Sequence, residues 1–306
     1  MAPPPLMPGD TVGIVAPAGA VERAALEAGC RQLKALGHPA VYLDSIFDRD
    51  QYFAGSVDRR VNELHEMFRR EDVKAIVAAR GGYGCNYLLP FLDLGLIREH
   101  FKSLIGYSDL TTLHTWFDDQ GLCTFHGPMV AKDFAKADGV DVEAWRKVLR
   151  GQSHRFELAA TAATPVLMEG EAEGILYGGC LSMLVESLGT PYEIHPGECI
   201  LFIEDVGVWP FQVDRMLMQL KLSGKLEKVR AILFGEMATC VQQELPEYTV
   251  ASIATRVFGD LGVPMMMGVR SGHVASGNIT LPMGGPVKVS ATEAGFTVDL
   301  QGWNQG

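Results

Sequence analysis

The sequence predicts an α/β protein with an N-terminal parallel-sheet domain and a smaller C-terminal mixed α/β domain that contains antiparallel strands. Through the first half of the 306 residues, short apolar runs alternate with segments of helical periodicity. Such a succession is typical of parallel strands covered by helices on both faces. Near the end of the chain, strand patterns follow one another closely around a short Ala-Gly turn, as in antiparallel pairing. The length fits about two domains at roughly 150 residues each.

The first half has the clearer pattern. Continuous apolar runs such as Val73-Lys-Ala-Ile-Val-Ala-Ala79 indicate buried strands, and apolar residues at helical spacing indicate the helices between them. Ser56 directly precedes one such helix and is a favourable N-cap. The order of elements predicts a flavodoxin- or Rossmann-like sheet. The predicted strands are 11–16, 40–43, 73–79 and 103–105, and the predicted helices are 21–36, 57–68, 109–117 and 142–149.

The second half contains both helix-like and strand-like patterns, and the point where they begin sets the predicted domain boundary. We predict an N-terminal domain over residues 1–155, a linker over 156–170 that lacks a strong period and has room for an edge strand, and a C-terminal domain over 171–306. The strands predicted in the second half are 200–203, 231–234, 278–281, 287–289 and 296–300, and the helices are 213–222 and 250–261.

Composition excludes several classes of function. The chain has 26 Lys and Arg against 37 Asp and Glu, a net charge of −11, which argues against a nucleic-acid or anionic-membrane surface. The six cysteines show no C-x-x-C spacing, so we expect reduced, mostly buried thiols. The first ten residues lack the features of a secretory signal, and no apolar stretch approaches a membrane span. We therefore expect a cytoplasmic protein.

A glycine-rich turn, Arg80-Gly-Gly-Tyr-Gly84, follows the predicted strand 73–79. Glycines let the backbone turn sharply and expose N–H groups that suit an anion or oxyanion. A tight turn without a ligand fits the residues equally well. The motif matches neither a Walker A loop nor a G-x-G-x-x-G fingerprint, so we predict no nucleotide cofactor.

Gly106-Tyr-Ser-Asp109 connects the predicted strand 103–105 to a helix. A nucleophilic serine needs a sharp strand-to-helix turn of this kind, with helix N–H groups nearby for an oxyanion. Ser108 meets that requirement, although Ser108 and Asp109 are also good helix caps. The residues alone leave both interpretations open.

A serine nucleophile needs a base, and His273 is a candidate because it lies on a glycine-flanked loop, where functional side chains are common. His126 follows a possible strand, where its side chain could line a cleft. Glu204 follows the apolar run 200–203, at the strand end where α/β proteins place catalytic groups. It could orient an imidazole, or simply form a turn with Asp205. Since ligand spacing around His273 is absent, we predict no metal site.

Taken together and in order, these motifs resemble the LD-carboxypeptidase family of serine peptidases, which includes the microcin C immunity peptidases. The resemblance spans nearly the whole chain. The motifs that carry it are Arg80-Gly-Gly-Tyr-Gly84, Gly106-Tyr-Ser-Asp109, His126-Gly-Pro128, Tyr177-Gly-Gly179, Leu188-Gly-Thr-Pro-Tyr192, Glu204-Asp-Val-Gly207, Asp214-Arg215, Gly272-His273, Asn278 and Leu281-Pro282.

The resemblance implies that Ser108 is the nucleophile, His273 the general base and Glu204 the residue that orients it. It also implies an oxyanion hole of backbone N–H groups, which we place at Gly82 and Asp109. The N-terminal domain would then supply the nucleophile and the C-terminal domain would supply the other two groups. Further candidate substrate-binding residues are Arg80, Gly81, Tyr83 and Trp209; Arg80 could hold a carboxylate or form an interior ion pair.

The resemblance implies that the enzyme releases terminal D-alanine from murein tetrapeptide in the cytoplasm during cell-wall recycling. It also implies a reaction without cofactor or metal and a homodimeric enzyme. The chain departs from the family pattern at Cys180, where asparagine is usual, and at Val208, where a charged residue is common. These departures concern substrate identity. The alternatives are an immunity-type peptidase that cleaves aminoacyl-nucleotide conjugates, with Trp209 stacking on the base, and a non-catalytic peptide-binding protein.

Overall fold

Two β-sheets organise the chain in the computed structural model, which describes residues 1–303. The first sheet has six strands and the second has eight. The elements of the first half, in chain order, are β1 Thr11–Val15, α1 Arg23–Ala35, β2 Ala40–Val41, α2 Val57–Arg69, β3 Val73–Ala78, α3 Leu94–Glu99, β4 Ser103–Gly106, α4 Thr111–Asp119, β5 Thr124–His126 and α5 Val142–Leu149.

The second half contributes nine strands and three helices within the described residues. In chain order these are β6 His154–Ala159, β7 Val166–Met168, β8 Gly170–Cys180, α6 Leu181–Glu186, β9 Cys199–Glu204, α7 Pro210–Leu222, β10 Ala231–Gly235, α8 Val250–Phe258, β11 Met265–Val269, β12 Leu281–Met283, β13 Pro286–Thr292 and β14 Gly295–Leu300.

The first sheet has the order β12-β5-β4-β3-β1-β2. Strands β1 to β5 pair in parallel, which confirms the predicted parallel sheet. Helix α2 begins after Ser56, whose hydroxyl accepts the Arg59 N–H at 3.2 Å, as the N-cap prediction requires. β12 adds an antiparallel edge to β5, and it comes from the far end of the chain. The sequence pattern predicts this strand over 278–281 and places it in an antiparallel sheet with the two strands that follow. In the structure it lies over Leu281–Met283 and belongs to the first sheet instead.

The second sheet has the order β6-β14-β13-β8-β9-β10-β11-β7. Its centre, β8 to β11, is parallel, and antiparallel strands flank it on both sides. The mixed α/β character predicted for this half is confirmed, including the antiparallel pair β13 and β14. The sheet also contains β8 and β11, two strands that the sequence patterns did not predict.

The segment predicted as a linker, 156–170, takes part in this sheet at both edges. β6 pairs with β14, and β7 pairs with β11. In β6, more buried residues alternate with exposed ones, because one strand face covers the core and the other meets solvent. Because that alternation spans only six residues, the sequence pattern did not predict a strand there. The domain limits themselves stay a prediction.

Within residues 1–303, all six cysteines are unpaired, and five of them are buried, as the sequence predicted. Over the same residues, the longest apolar helices fall short of what a bilayer crossing needs. The carboxyl ends of the parallel strands in both sheets carry the loops that hold the residues singled out above, and these loops meet between the sheets.

Candidate active site

Ser108 lies at a sharp turn between β4 and α4. Its φ is +66°, one of four positive values for non-glycine residues within 1–303. A side chain in this left-handed region costs roughly 1–2 kcal/mol, so the conformation persists only where the surrounding fold imposes it. A short 3₁₀ turn, Ser108–Leu110, follows and leads into α4. The predicted strand-to-helix turn at Ser108 is therefore present.

The glycine-rich loop after β3 packs directly against this turn. A methyl group placed on Gly81 would lie 2.8 Å from Ser108 Cβ and 3.0 Å from its Oγ, so only glycine allows this approach. The guanidinium of buried Arg60 donates to the carbonyls of Gly84 at 2.8 Å and Pro17 at 2.9 Å, which fixes the far end of the loop. The loop is thus held close to Ser108 by protein contacts alone.

Two backbone N–H groups border the turn at Ser108, those of Gly82 and Asp109. Within residues 1–303, neither N–H makes a hydrogen bond. The buried carboxylate of Asp109 accepts the Cys85 N–H at 2.8 Å, which ties the start of the helix to the glycine-rich loop. Burial raises the pKa of Asp109. The side chain of Asp109 therefore serves the loop, and its N–H stays available.

Glu204, the last residue of β9, is 1% exposed and holds His273. Its Oε2 accepts both the backbone N–H of His273 at 3.0 Å and the imidazole Nδ1 at 2.8 Å. Burial by itself would raise the pKa of Glu204, but the hydrogen bonds from His273 and the charge interactions with His273 and His126 outweigh it and lower the pKa to about 2. The carboxylate is therefore ionised at neutral pH, and the Nδ1 contact leaves Nε2 of His273 for other partners.

The loop that carries His273 is shaped around this carboxylate. Gly272 has φ +96°, and a methyl group there would lie 2.5 Å from Glu204 Cδ. The amide of buried Asn278 spans the loop, accepting the Gly272 N–H and donating to the Gly272 carbonyl, both at 3.1 Å. These contacts explain why Gly272, His273 and Asn278 occur together.

Ser108 and His273 line one cavity of about 380 Å³ between the two sheets. The imidazole of His273 stands edge-on to the ring of Tyr107, the residue before Ser108, with 5.0 Å between the ring centroids. Arg80 and Lys132 bring two cations to the same cavity. The complete lining is Glu22, Ala25, Arg80, Gly81, Gly82, Ser108, Met129, Ala131, Lys132, Val206 and His273.

Two domain profiles match the chain: that of the LD-carboxypeptidase N-terminal domain over residues 12–127, and that of the LD-carboxypeptidase C-terminal domain over 173–289. The chain belongs to the LD-carboxypeptidase family. It is accordingly a serine-type carboxypeptidase, as the motifs predicted.

Individual LD-carboxypeptidases and their relatives align over most of the chain. A Bacillus subtilis (strain 168) protein named probable murein peptide carboxypeptidase is 36% identical, covering 95% of this chain and 92% of its own length. The crystal structure of muramoyltetrapeptide carboxypeptidase from Oxalobacter formigenes superposes with a TM-score of 0.85 at 27% identity, over 96% of this chain and 100% of that one. The microcin C7 self-immunity protein of Escherichia coli is 30% identical, covering 92% and 90%.

Not every predicted site residue of this LD-carboxypeptidase reaches the cavity. Tyr83 lies on the outer side of the glycine-rich loop and contacts the rings of Phe53 and Tyr87. Trp209 is 50% exposed at the start of α7 and is not among the lining residues. Both remain candidates only for substrate that extends beyond the cavity.

The two departures from the family pattern are also outside the lining. Cys180 ends β8 next to Glu204 in the strand register and is buried, which raises the pKa of its thiol well above the usual range. Its N–H donates to Thr111 Oγ1 at 2.9 Å. Val208 packs against the apolar cluster of the second sheet. Neither residue presents a charge or a polar group to Ser108.

Lys132 is a lining residue that the sequence patterns did not identify. It follows β5 by six residues, and its Nζ lies 5.2 Å from the centroid of the Tyr107 ring. Burial lowers its pKa, with Asp133 and Glu204 opposing that effect. The available signal was its position after a strand of the parallel sheet, at the edge where such sheets bind ligands.

Arg80 forms no ion pair with an acidic side chain in the described part of the chain; its guanidinium donates to the carbonyls of Gly81 at 3.3 Å and Ala20 at 3.2 Å. Among residues 1–303, no cluster of three or more His, Cys, Asp or Glu is arranged to hold a metal ion. A larger pocket, about 660 Å³, lies around the segment 236–251 and includes none of the predicted catalytic residues.

Proposed function

We propose that this LD-carboxypeptidase releases the terminal D-alanine of murein tetrapeptide, with Ser108 as nucleophile, His273 as general base and Glu204 as the residue that orients His273. The observation that supports this most strongly is the shared cavity: Ser108 and His273 line it together, and Glu204 holds the imidazole from behind through Nδ1. A relative named for murein peptide and a solved relative named for muramoyltetrapeptide support the choice of substrate.

The reaction proceeds through an acyl-enzyme. Ser108 Oγ attacks the carbonyl carbon of the amide between the L-centre of the third residue and D-alanine, while His273 Nε2 accepts the hydroxyl proton. The tetrahedral intermediate collapses as the C–N bond breaks, and His273 returns the proton to the departing amine of D-alanine. Water then attacks the ester, again with His273 as base, and Ser108 is released with its proton. Glu204 stays ionised and stabilises the imidazolium.

The oxyanion is expected to accept hydrogen bonds from the N–H groups of Gly82 and Asp109. Both border the nucleophile, and within residues 1–303 both lack another acceptor. Fixed backbone donors need no reorganisation during the reaction, and one such donor is worth about 3 kcal/mol of barrier. The cost of the left-handed conformation at Ser108 is consistent with a turn shaped for this purpose.

Arg80 and Lys132 fit the anionic end of the substrate. A carboxypeptidase has to bind a free terminal carboxylate close to the scissile bond, and both cations line the cavity that contains Ser108. In the described residues neither forms an ion pair with an acid within 4 Å. Their charges are therefore available to carboxylates of the incoming peptide.

We further propose that the reaction takes place in the cytoplasm and that the enzyme is a homodimer. Six unpaired thiols in residues 1–303 support a reducing compartment, because thiols persist there. The homodimer is an expectation from the family resemblance. Fractionation of cells and light scattering of the purified chain test these two proposals separately.

The deciding experiment measures D-alanine released from purified murein tetrapeptide by wild type, Ser108→Ala and Ser223→Ala. Ser223 lies at the end of α7, outside the cavity, and serves as the matched serine control. We expect Ser108→Ala to fold normally and to lose activity by a factor on the order of 10⁴ or more, with Ser223→Ala unaffected. Retained release by Ser108→Ala would reject the nucleophile, and loss of activity with a chelator would reject the metal-free reaction.

The second candidate is an immunity-type peptidase acting on aminoacyl-nucleotide conjugates, favoured by the 30% identity to the microcin C7 self-immunity protein. The exposed indole of Trp209 could stack on a base, although it lies outside the cavity lining. Incubation with murein tetrapeptide and, separately, with processed microcin, followed by mass spectrometry of the products, distinguishes the two. A serine-bound acyl adduct in either reaction excludes a non-catalytic peptide-binding protein.

A further inference from the structure

The carboxylate of Glu204 lies between two histidines that come from different sheets. His273 occupies Oε2, as described above. On the other side, Nε2 of His126 lies 3.7 Å from Oε1. His126 is the last residue of β5 in the first sheet, whereas Glu204 is the last residue of β9 in the second. The pair therefore joins the two sheets directly behind the proposed general base.

Both facing atoms lack any other partner. Within residues 1–303, Nε2 of His126 and Oε1 of Glu204 are buried and make no hydrogen bond. A buried polar atom without a partner costs about 1–3 kcal/mol, so two of them facing each other gain by pairing. The 3.7 Å separation is longer than a hydrogen bond, and contacts of this kind commonly shorten once substrate is bound.

The neighbours of His126 determine which nitrogen has to carry a proton. Nδ1 lies 2.9 Å from Ser271 Oγ, which also lies 2.8 Å from the carbonyl of Ile279. The Ser271 hydroxyl has a single proton, which goes to the carbonyl of Ile279 when Nδ1 donates to Oγ, or to Nδ1 when Nδ1 accepts, whereas an ionised carboxylate only accepts. A proton on Nε2 is therefore the arrangement that makes the contact with Glu204 favourable. Ser271 lies two residues before His273, so the same imidazole also contacts the loop of the base.

We propose that His126 is a positioning residue whose Nε2–H holds Oε1 of Glu204, so that Oε2 stays directed at His273. The inference rests on the proposed role of Glu204 and His273. A carboxylate can rotate about its terminal bond, and a donor on Oε1 restricts that rotation. His126 is 0% exposed and packs among the rings of Phe202, Tyr107 and His114, so the protein itself supplies the donor.

Two substitutions at His126 distinguish the roles of its two ring nitrogens. In His126→Gln the amide nitrogen reaches the place of Nε2, and in His126→Asn it reaches the place of Nδ1. We expect His126→Asn to lower kcat about 10- to 100-fold with KM unchanged, because a small displacement of the base is costly. His126→Gln should keep most of the activity. Equal losses in the two variants, or a change confined to KM, would overturn the proposal.

A spectroscopic measurement on otherwise intact enzyme covers the case in which a His126 variant does not fold. In nitrogen-15 spectra of the histidine side chains, with His126 assigned through its contacts with Phe202, we expect Nε2 to be protonated in wild type and its signal to shift in Glu204→Gln. An unprotonated Nε2 in wild type contradicts the proposal. The Ser108→Ala assay is read independently: if it rejects the triad, the nitrogen-15 result still decides whether His126 binds Glu204.

Discussion

Ser108 and His273 face the same cavity, but the fold positions them by different means. Ser108 is set by its backbone: a φ of +66° and the close approach of Gly81 fix the direction of its side chain. His273 is set by side-chain hydrogen bonds, with Glu204 holding both its N–H and its Nδ1. The position of Ser108 thus depends on backbone conformation and close packing, whereas the position of His273 depends on a buried charge. Substitutions should therefore affect the two residues differently.

Among substitutions that leave Ser108 in place, the largest effect is expected when the charge beside His273 is removed. Glu204→Gln keeps the shape of the side chain but presents a neutral amide to His273, which permits the wrong imidazole tautomer. We expect kcat to fall by a factor on the order of 10³ to 10⁴, with the fold retained. Steady-state release of D-alanine measures this, and Glu198→Gln, an exposed change outside the cavity lining, serves as the matched control. Activity within tenfold of wild type would show that the charge is dispensable.

Glu204 should also give the enzyme a distinct acid response. Its pKa is about 2 in the folded protein against an ordinary value of 4.5, so its ionisation stabilises the fold fully above about pH 4.5. That contribution is lost as the pH falls through this window toward 2. In urea unfolding, the stability difference between wild type and Glu204→Gln should therefore be constant near neutrality and narrow below about pH 4.5. A difference that is independent of pH down to 3 would contradict the lowered pKa.

The next prediction concerns the close packing of Gly272 against the carboxylate of Glu204. In Gly272→Ala the new methyl would lie 2.5 Å from Glu204 Cδ, so Glu204 or the loop has to move. Gly37 is the matched control, because its φ of +98° is nearly that of Gly272 but nothing lies within 4 Å of an added methyl. We expect Gly37→Ala to cost about 1–2 kcal/mol of stability with full activity. Gly272→Ala should lose about 100-fold in kcat as well. Similar behaviour of both variants would mean that backbone strain alone matters.

The positions of Ser108 and Glu204 were predictable because each follows a buried apolar strand along the chain. Continuous apolar runs mark such strands, and parallel strands bring their carboxyl ends to one edge. β8 was missed because its first part alternates half-buried residues with the exposed Glu171, Glu173 and Ile175, and its glycines weaken a strand pattern. β11 was missed because its run of methionines has no strong strand preference.

Contacts between side chains of distant segments gave no local signal. His126 meets Glu204 and Ser271 only because β5 and β9 end beside one another, and no spacing in the sequence encodes that proximity. Lys132 is placed by a loop after β5, and loops carry little periodicity. The strand-borne groups of the site were thus accessible from sequence, whereas the groups that surround them required the packing of the two sheets.

A moderate effect is expected from Lys132, which lines the cavity. Lys132→Met keeps the length of the side chain and removes its charge, which lies near the Tyr107 ring at the cavity. We expect KM for murein tetrapeptide to rise about tenfold with kcat little changed, since a charged contact is worth about 1.5–3 kcal/mol. Lys136→Met, at an exposed position outside the lining, is the control. An unchanged KM would remove Lys132 from the substrate site and leave Arg80 as the candidate cation.

The smallest expected effect tests whether the backbone conformation of residue 108 is strained. Ser108→Ala and Ser108→Gly both remove the hydroxyl, so both should be inactive, but only glycine is at ease at φ +66°. Ser108→Gly should therefore be more stable than Ser108→Ala by about 1 kcal/mol, measured by urea unfolding monitored by circular dichroism. Glycine also gains freedom in the unfolded chain, which reduces the difference without reversing it. If alanine is equally stable there, the turn imposes no strain, and residue 108 is held by packing against Gly81 rather than by its backbone conformation.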